Sequence, residues 1–165
     1  MNKHLTSERA TPTLKSLLEK AAEFHSHLGP FLVIGVRMGL TGLKEIGEQS
    51  FDQLEITASL PLHVPFSCII DGLQVSTHCT VGNRRLSLED SDTIQAKFRK
   101  KENCPEVTIA LNQSTLEKVK TQLLKEAMPD AEVRRLAWTV ANMSEDDLFE
   151  ITRSSAKENS EAPFS

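Results

Sequence analysis

The spacing of apolar residues differs from one part of the chain to the next, and the first part predicts two helices. After Thr13, which can cap a helix, apolar residues recur at helical spacing as far as Ala22. This helix is expected to end before Pro30, because the residue that precedes a proline is kept out of the α region. A second helix should begin at Pro30, since proline suits the first turn. Its apolar residues lie on almost every side, which predicts that it is buried.

Three glycines interrupt this second helix at Gly35, Gly39 and Gly42. An unneeded glycine inside a helix costs about 1 kcal/mol relative to alanine. The spacing therefore predicts that another element packs closely against this face. The alternative is that the glycines only weaken the helix.

Alternation of apolar and polar residues predicts three strands further along the chain. Their apolar positions are Leu54, Ile56, Ala58 and Leu60, then Ile94, Ala96 and Phe98, then Val107, Ile109 and Leu111. The other predicted elements are a helix from Phe66 to about His78, a helix from Ser114 to before Pro129, a helix from about Ala131 to Asn142 and a short edge strand from Leu148 to Ile151.

These elements predict an α+β fold, because helices cluster at both ends of a small, mainly antiparallel sheet. We expect a flexible N-terminus over residues 1–12, a single core domain over residues 13–152 and a disordered tail over residues 153–165.

Composition narrows the classes of partner. The formal net charge of −4, a single tryptophan and the absence of tyrosine argue against nucleic acid as a partner. No apolar run approaches the ~18 residues of a membrane span, so no membrane partner is expected. An odd number of cysteines, three, disfavours a disulfide framework. These features together predict a cytoplasmic protein.

His25 and His27 lie one residue apart where the first helix should end. Within a helix the two rings would point about 200° apart and could not converge. Where the helix unwinds towards Gly29 and Pro30, both rings can turn to one point. Imidazole is the commonest metal ligand in proteins, so the pair is a candidate for half of a metal site. The alternative is that His25 caps the helix and His27 is exposed.

A second stretch, residues 71–83, holds further candidate ligands. Asp71 and His78 fall on one face of the predicted helix, whereas Cys68 and Cys79 are assigned to the other side. A cysteine close to the turn at Gly82 can present a thiolate, which suits zinc. Taken alone, Cys79 can equally be a small buried apolar residue, and Asp71 a solvated one.

The two stretches together resemble the signatures of the FmdE family, which is named after a component of formylmethanofuran dehydrogenase. The first is His25 to Pro30 with the glycine-spaced helix after it, and the second is Asp71 to Asn83. The resemblance covers roughly residues 13–152. It implies an α+β core that forms an intertwined homodimer, with a metal site built from His25, His27 and Cys79 and with Asp71 nearby.

The chain departs from the family pattern at three positions. Gly29 replaces a usual cysteine, Phe31 replaces a glycine, and His78 replaces a glycine. One potential sulfur ligand is missing and one potential nitrogen ligand is gained. We hypothesise that His78 compensates, so that His25, His27, His78 and Cys79 form the metal site. The alternative is a degenerate site that holds no metal.

The expected cofactor is a divalent metal ion, with zinc favoured, although nickel or iron would accept much the same ligands. One hypothesis is a metal-binding protein with an accessory role, handling a metal or a small cofactor. Another is an enzyme that acts on a small anionic molecule near the start of the second helix, with Arg84 and Arg85 as candidate contacts. For Arg84 and Arg85 the alternative is a solvated pair that begins a strand. A third hypothesis is a homodimeric interaction module with a degenerate site.

Overall fold

A computed structural model of the protein describes residues 13–47, 53–100, 105–124 and 127–154. The predicted flexible N-terminus, Cys104 and most of the predicted tail lie outside these ranges. In chain order the elements are α1 (Leu14–His25), α2 (Pro30–Ile46), β1 (Leu54–Leu60), α3 (Cys68–Thr77), β2 (Leu86–Asp90), β3 (Gln95–Lys100), β4 (Glu106–Leu111), α4 (Gln113–Leu124), α5 (Asp130–Ala141), α6 (Glu145–Leu148) and β5 (Phe149–Ser154).

The first two helices begin as the sequence predicts. The side chain of Thr13 caps α1 by accepting a hydrogen bond of 3.2 Å from the backbone N–H of Ser16. Pro30 is the first residue of α2, and the first half of that helix is buried on every side. The α1–α2 junction is therefore set by local sequence.

The five strands form one sheet in the order β2-β1-β3-β4-β5. Its pairings are antiparallel except that of β1 with β2, which is parallel. The sheet is therefore mixed, and the prediction of a mainly antiparallel sheet is corrected. The reason is α3, which crosses from the end of β1 back to the start of β2, as a parallel connection requires. The α+β class with a single domain is confirmed.

The helix layer packs through glycines. A Cβ atom on Gly35 would overlap the carbonyl oxygen of Ile69, and one on Gly72 would overlap that of Leu32. On Gly42 a Cβ atom would overlap the ring of Phe98 in the sheet. The predicted close approach at the α2 glycines is confirmed: Gly35 lets α2 approach the backbone of α3, and Gly42 makes room for the ring of Phe98 from the sheet.

The C-terminal strand differs in length from the prediction. β5 pairs with β4 at the edge of the sheet and extends to Ser154. It thus includes Arg153, which pairs with Glu45 and which the sequence assigned to the tail. Among the described residues no helix is long and apolar enough to cross a membrane.

Candidate metal centre

The junction of α1 and α2 brings the two histidines together. Helix α1 ends at His25, and Ser26 then takes a left-handed conformation with φ of 76°. Gly29 is extended and precedes α2. As a result the ring centroids of His25 and His27 lie 4.7 Å apart, with 39° between the ring planes. The two rings therefore contact each other at the unwinding end of α1, and His27 is exposed, as the alternative expected. Their convergence on a metal ion stays a prediction.

Asp71 on α3 orients the His25 ring. The Nδ1 atom of His25 lies 2.6 Å from Oδ2 of Asp71, while the Oδ1 atom of Asp71 accepts a hydrogen bond from Gln74. An ionised carboxylate can only accept, so Nδ1 carries the proton of this bond. In neutral His25, Nε2 therefore carries the lone pair. That atom is buried and has no hydrogen-bond partner among the described residues.

The histidines line a cleft of about 40 Å³, large enough for an ion or for one or a few water molecules. Its other lining residues are Gly29, Pro30, Phe31, Leu32, Pro65, Cys68 and Val133. The apolar part of this wall restricts access of water to Nε2 of His25, whereas His27 is exposed. The cleft is thus polar at the two rings and apolar around them, which is common for metal sites with a controlled solvent supply.

Cys68 also lines this cleft, although its position in the sequence did not mark it as a metal ligand. It is the first residue of α3, and burial together with the negative charge of Asp71 raises the pKa of its thiol. The available signal was its spacing, because residues three apart on a helix are neighbours. Cys68 therefore belongs beside Asp71, and its assignment to the opposite side is corrected.

The other two predicted ligands lie beyond the C-terminal end of α3. His78 is the left-handed cap residue, and its backbone N–H donates to Gln74. Cys79 is 1% exposed, and its thiol donates to the carbonyl oxygen of Leu54 over 3.5 Å. A helix of ten residues is roughly 15 Å long, so Cys68 and Cys79 lie at opposite ends of α3.

Within the described ranges, no group of three or more His, Cys, Asp or Glu residues is arranged to hold a metal ion. The set of His25, His27, His78 and Cys79 therefore stays a prediction. Arg84 and Arg85 directly precede β2, at the same end of α3 as His78, which agrees with the alternative of a basic pair that begins a strand.

Gly29 leaves room beside His27. A Cβ atom at this position would lie 3.6 Å from Nε2 of His27 and 3.8 Å from Val133, which are ordinary contacts. The backbone has φ of −129° and ψ of 165°, values that any residue adopts. A side chain at position 29 would therefore point towards His27 without strain.

Comparisons with known proteins agree with the fold. The crystal structure of a tungsten formylmethanofuran dehydrogenase FmdE-like protein from Syntrophus aciditrophicus matches with a TM-score of 0.64 and 19% identity, over 89% of this chain and 74% of that chain. At this identity the likeness shows the fold alone. A protein of Archaeoglobus fulgidus named as a probable S-adenosyl-L-methionine-binding protein is 37% identical over 82 residues. The match covers 48% of this chain but only 22% of that relative.

The family model described as FmdE, molybdenum formylmethanofuran dehydrogenase operon, matches residues 24–150. This range includes both signature stretches, the His25–His27 pair and the segment from Asp71 to Asn83. The chain therefore belongs to the FmdE family.

Proposed function

We propose that the protein binds a divalent metal ion through His25 and His27, in an accessory role associated with formylmethanofuran dehydrogenase. The observation that carries the proposal is the Nε2 atom of His25, which is buried without a partner among the described residues. Its other ring nitrogen is held by Asp71 at 2.6 Å. A carboxylate that fixes one nitrogen of a histidine and leaves the other for a metal is a recurrent arrangement in metal sites.

The donor set suits zinc. Two imidazoles and one thiolate are ligands that zinc accepts, and nickel or iron would accept them too. Of the two described cysteines, Cys68 is the one that lines the same cleft as the pair. Its raised pKa keeps it protonated at neutral pH in the metal-free protein. Metal binding through this sulfur would therefore release a proton.

A bound metal with an open position would supply Lewis-acid chemistry towards a small anionic ligand. The residues of the chain would position the metal ligands and the anion. Asp71 holds the His25 ring, and the N-terminus of α2 at Pro30 lies in the cleft wall, where its partial positive charge favours an anion. An enzyme of this kind is the second candidate function. The name of the Archaeoglobus relative makes S-adenosyl-L-methionine a ligand to test.

A homodimer, which the family resemblance implies, is part of the proposal. A second copy can bring donor groups to a cleft in which one chain presents two histidines and a cysteine. Sedimentation velocity of the metal-free and metal-loaded protein tests this point directly. A monomer in both states would contradict it.

The metal proposal is tested on protein purified without a polyhistidine tag. We expect elemental analysis to find a stoichiometric divalent metal, and we expect zinc to raise the midpoint of thermal unfolding, because a ligand of the folded state stabilises it. His27→Ala should lose both properties while the fold is kept, since His27 is exposed. His63→Ala is the matched control, because His63 is also exposed but contacts the ring of Phe66 edge-on. Absence of metal and of any zinc-dependent shift in the wild type would refute the proposal.

A further inference from the structure

A second, larger cleft adjoins the first one. It has a volume of about 320 Å³ and shares two wall residues, His27 and Val133, with the cleft of the metal centre. Its volume is at the lower end of the range that accommodates small organic ligands. The cleft lies between the α1–α2 junction and the start of α5.

Two opposite charges line this cleft. Asp130 and Arg134 are four residues apart on α5, a spacing that places their Cβ atoms roughly 5–6 Å apart on one helix face. Both side chains are exposed, and neither forms a hydrogen bond or ion pair with another described residue. Each charge is therefore available to a ligand.

Apart from Ser26 and His27, the remaining wall residues are apolar. They are Leu28, which is 7% exposed, Ala131 and Val133. An anion bound at Arg134 would be repelled by Asp130, and a cation bound at Asp130 would be repelled by Arg134. A molecule that carries both charges satisfies both residues, and an apolar substituent on it would contact Leu28 and Val133.

We propose that this cleft binds a small dipolar molecule of the α-amino-acid type with an apolar side chain. The ammonium group pairs with Asp130 and the carboxylate pairs with Arg134, while the side chain lies against Leu28. The proposal does not depend on the metal. Because His27 forms the shared wall, a ligand bound here lies next to the proposed metal centre.

The experiment uses the full chain, made metal-free with a chelator, and L-leucine as the probe in ligand-observed NMR. Two analogues serve as comparisons: 4-methylpentanoate, which lacks the ammonium group, and 3-methylbutylamine, which lacks the carboxylate. We expect L-leucine to bind. Each analogue should bind at least about tenfold more weakly than L-leucine, because each loses one charge-assisted interaction. Asp130→Asn and Arg134→Gln should each weaken L-leucine binding to a similar degree.

Glu132→Gln and Arg135→Gln are the matched controls, since they remove the same charges from exposed positions of α5 outside the cleft. Both should leave L-leucine binding unchanged. The proposal is overturned if millimolar L-leucine does not bind, if an analogue binds as tightly as L-leucine, or if the cleft variants behave like the controls. Failure here leaves the metal proposal intact, because the protein is tested without metal.

Discussion

The Nδ1 atom of His25 and the Oδ2 atom of Asp71 lie 2.6 Å apart, although 46 residues separate them in the chain. The contact joins the last residue of α1 to the first turn of α3. It decides which ring nitrogen of His25 can bind a metal, because the nitrogen that donates to Asp71 cannot do so. The tertiary fold therefore brings Asp71, from the second signature stretch, into contact with His25 of the first.

Replacing Asp71 by asparagine should weaken zinc binding. The amide oxygen can still accept from Nδ1, but the charge-assisted hydrogen bond that holds the His25 ring becomes a weaker neutral one. Loss of such a partner costs about 10–100-fold in metal affinity, and we expect the lower end of this range. Competition with a chromophoric chelator measures the affinity. Asp92→Asn, which removes the same charge from an exposed loop, is the control, and equal affinities of the two variants would contradict the role of Asp71.

Replacing Gly29 by cysteine should strengthen metal binding. The new side chain would begin 3.6 Å from Nε2 of His27 in a backbone conformation that needs no adjustment. The thiolate-to-cobalt absorption band of the cobalt-substituted protein should then be stronger than in the wild type, and zinc should bind more tightly. Gly29→Ser is the matched control, because it has the same shape with a poorer ligand for zinc. A cysteine variant that matches the serine variant in both measurements would show that position 29 does not face the metal.

The positions of the two described cysteines lead to different expectations about which one is the sulfur ligand of the metal. Cys68 lines the histidine cleft, whereas Cys79 is buried and donates to Leu54. We expect Cys68→Ser to abolish the thiolate-to-cobalt band and Cys79→Ser to keep it. Circular dichroism of both variants controls for folding. Loss of the band only in Cys79→Ser would instead support the ligand set predicted from the sequence.

The backbone contact between α2 and α3 should tolerate no added methyl group. A Cβ atom at Gly72 would overlap the carbonyl oxygen of Leu32, which belongs to a rigid helix. We expect Gly72→Ala to lower the free energy of unfolding by about 1–3 kcal/mol, the usual cost of overpacking. Gly82→Ala is the control, because its nearest contact would be an ordinary 3.7 Å to Thr80. Urea unfolding measures both, and equal stability of the two variants would contradict this account of the packing.

Local signals in the sequence predicted much of the fold. Thr13 and Pro30 mark helix starts through capping and fixed backbone geometry, and both positions are confirmed. The strand β2 entered the prediction only as the alternative for Arg84 and Arg85 and was not placed in the sheet, because it offers only two apolar positions, Leu86 and Leu88, too few for a visible alternation. Without β2, the parallel pairing and the crossover role of α3 could not be deduced.

The candidate site was predictable only where local sequence determines it. The rings of His25 and His27 come into contact next to the left-handed Ser26, so their proximity could be predicted from the local sequence. The position of Cys68 in the same cleft depends on how α3 packs against α1 and α2. That packing follows from glycine contacts between distant segments, which periodicity along the chain does not encode.

Glu145 should make the stability of the fold depend on pH in the acid range. Its carboxylate accepts hydrogen bonds from Lys44 at 2.7 Å and Thr41 at 3.0 Å, and mainly the bond from Lys44 lowers the pKa of Glu145 below its ordinary 4.5. A lowered pKa in the folded state means that this carboxylate stabilises the fold above the ordinary value. That contribution is lost as the pH falls through the lowered value.

The wild type should therefore be more stable than Glu145→Gln near neutral pH, and the difference should shrink steadily as the pH falls below 4.5. The effect is modest, because Lys44 is exposed and solvent screens the pair. Urea unfolding at a series of pH values measures it, with Glu19→Gln, an exposed change on α1, as the control. A stability difference that stays constant from neutral to acid pH would show that Glu145 links α6 to α2 through its shape and not through its charge.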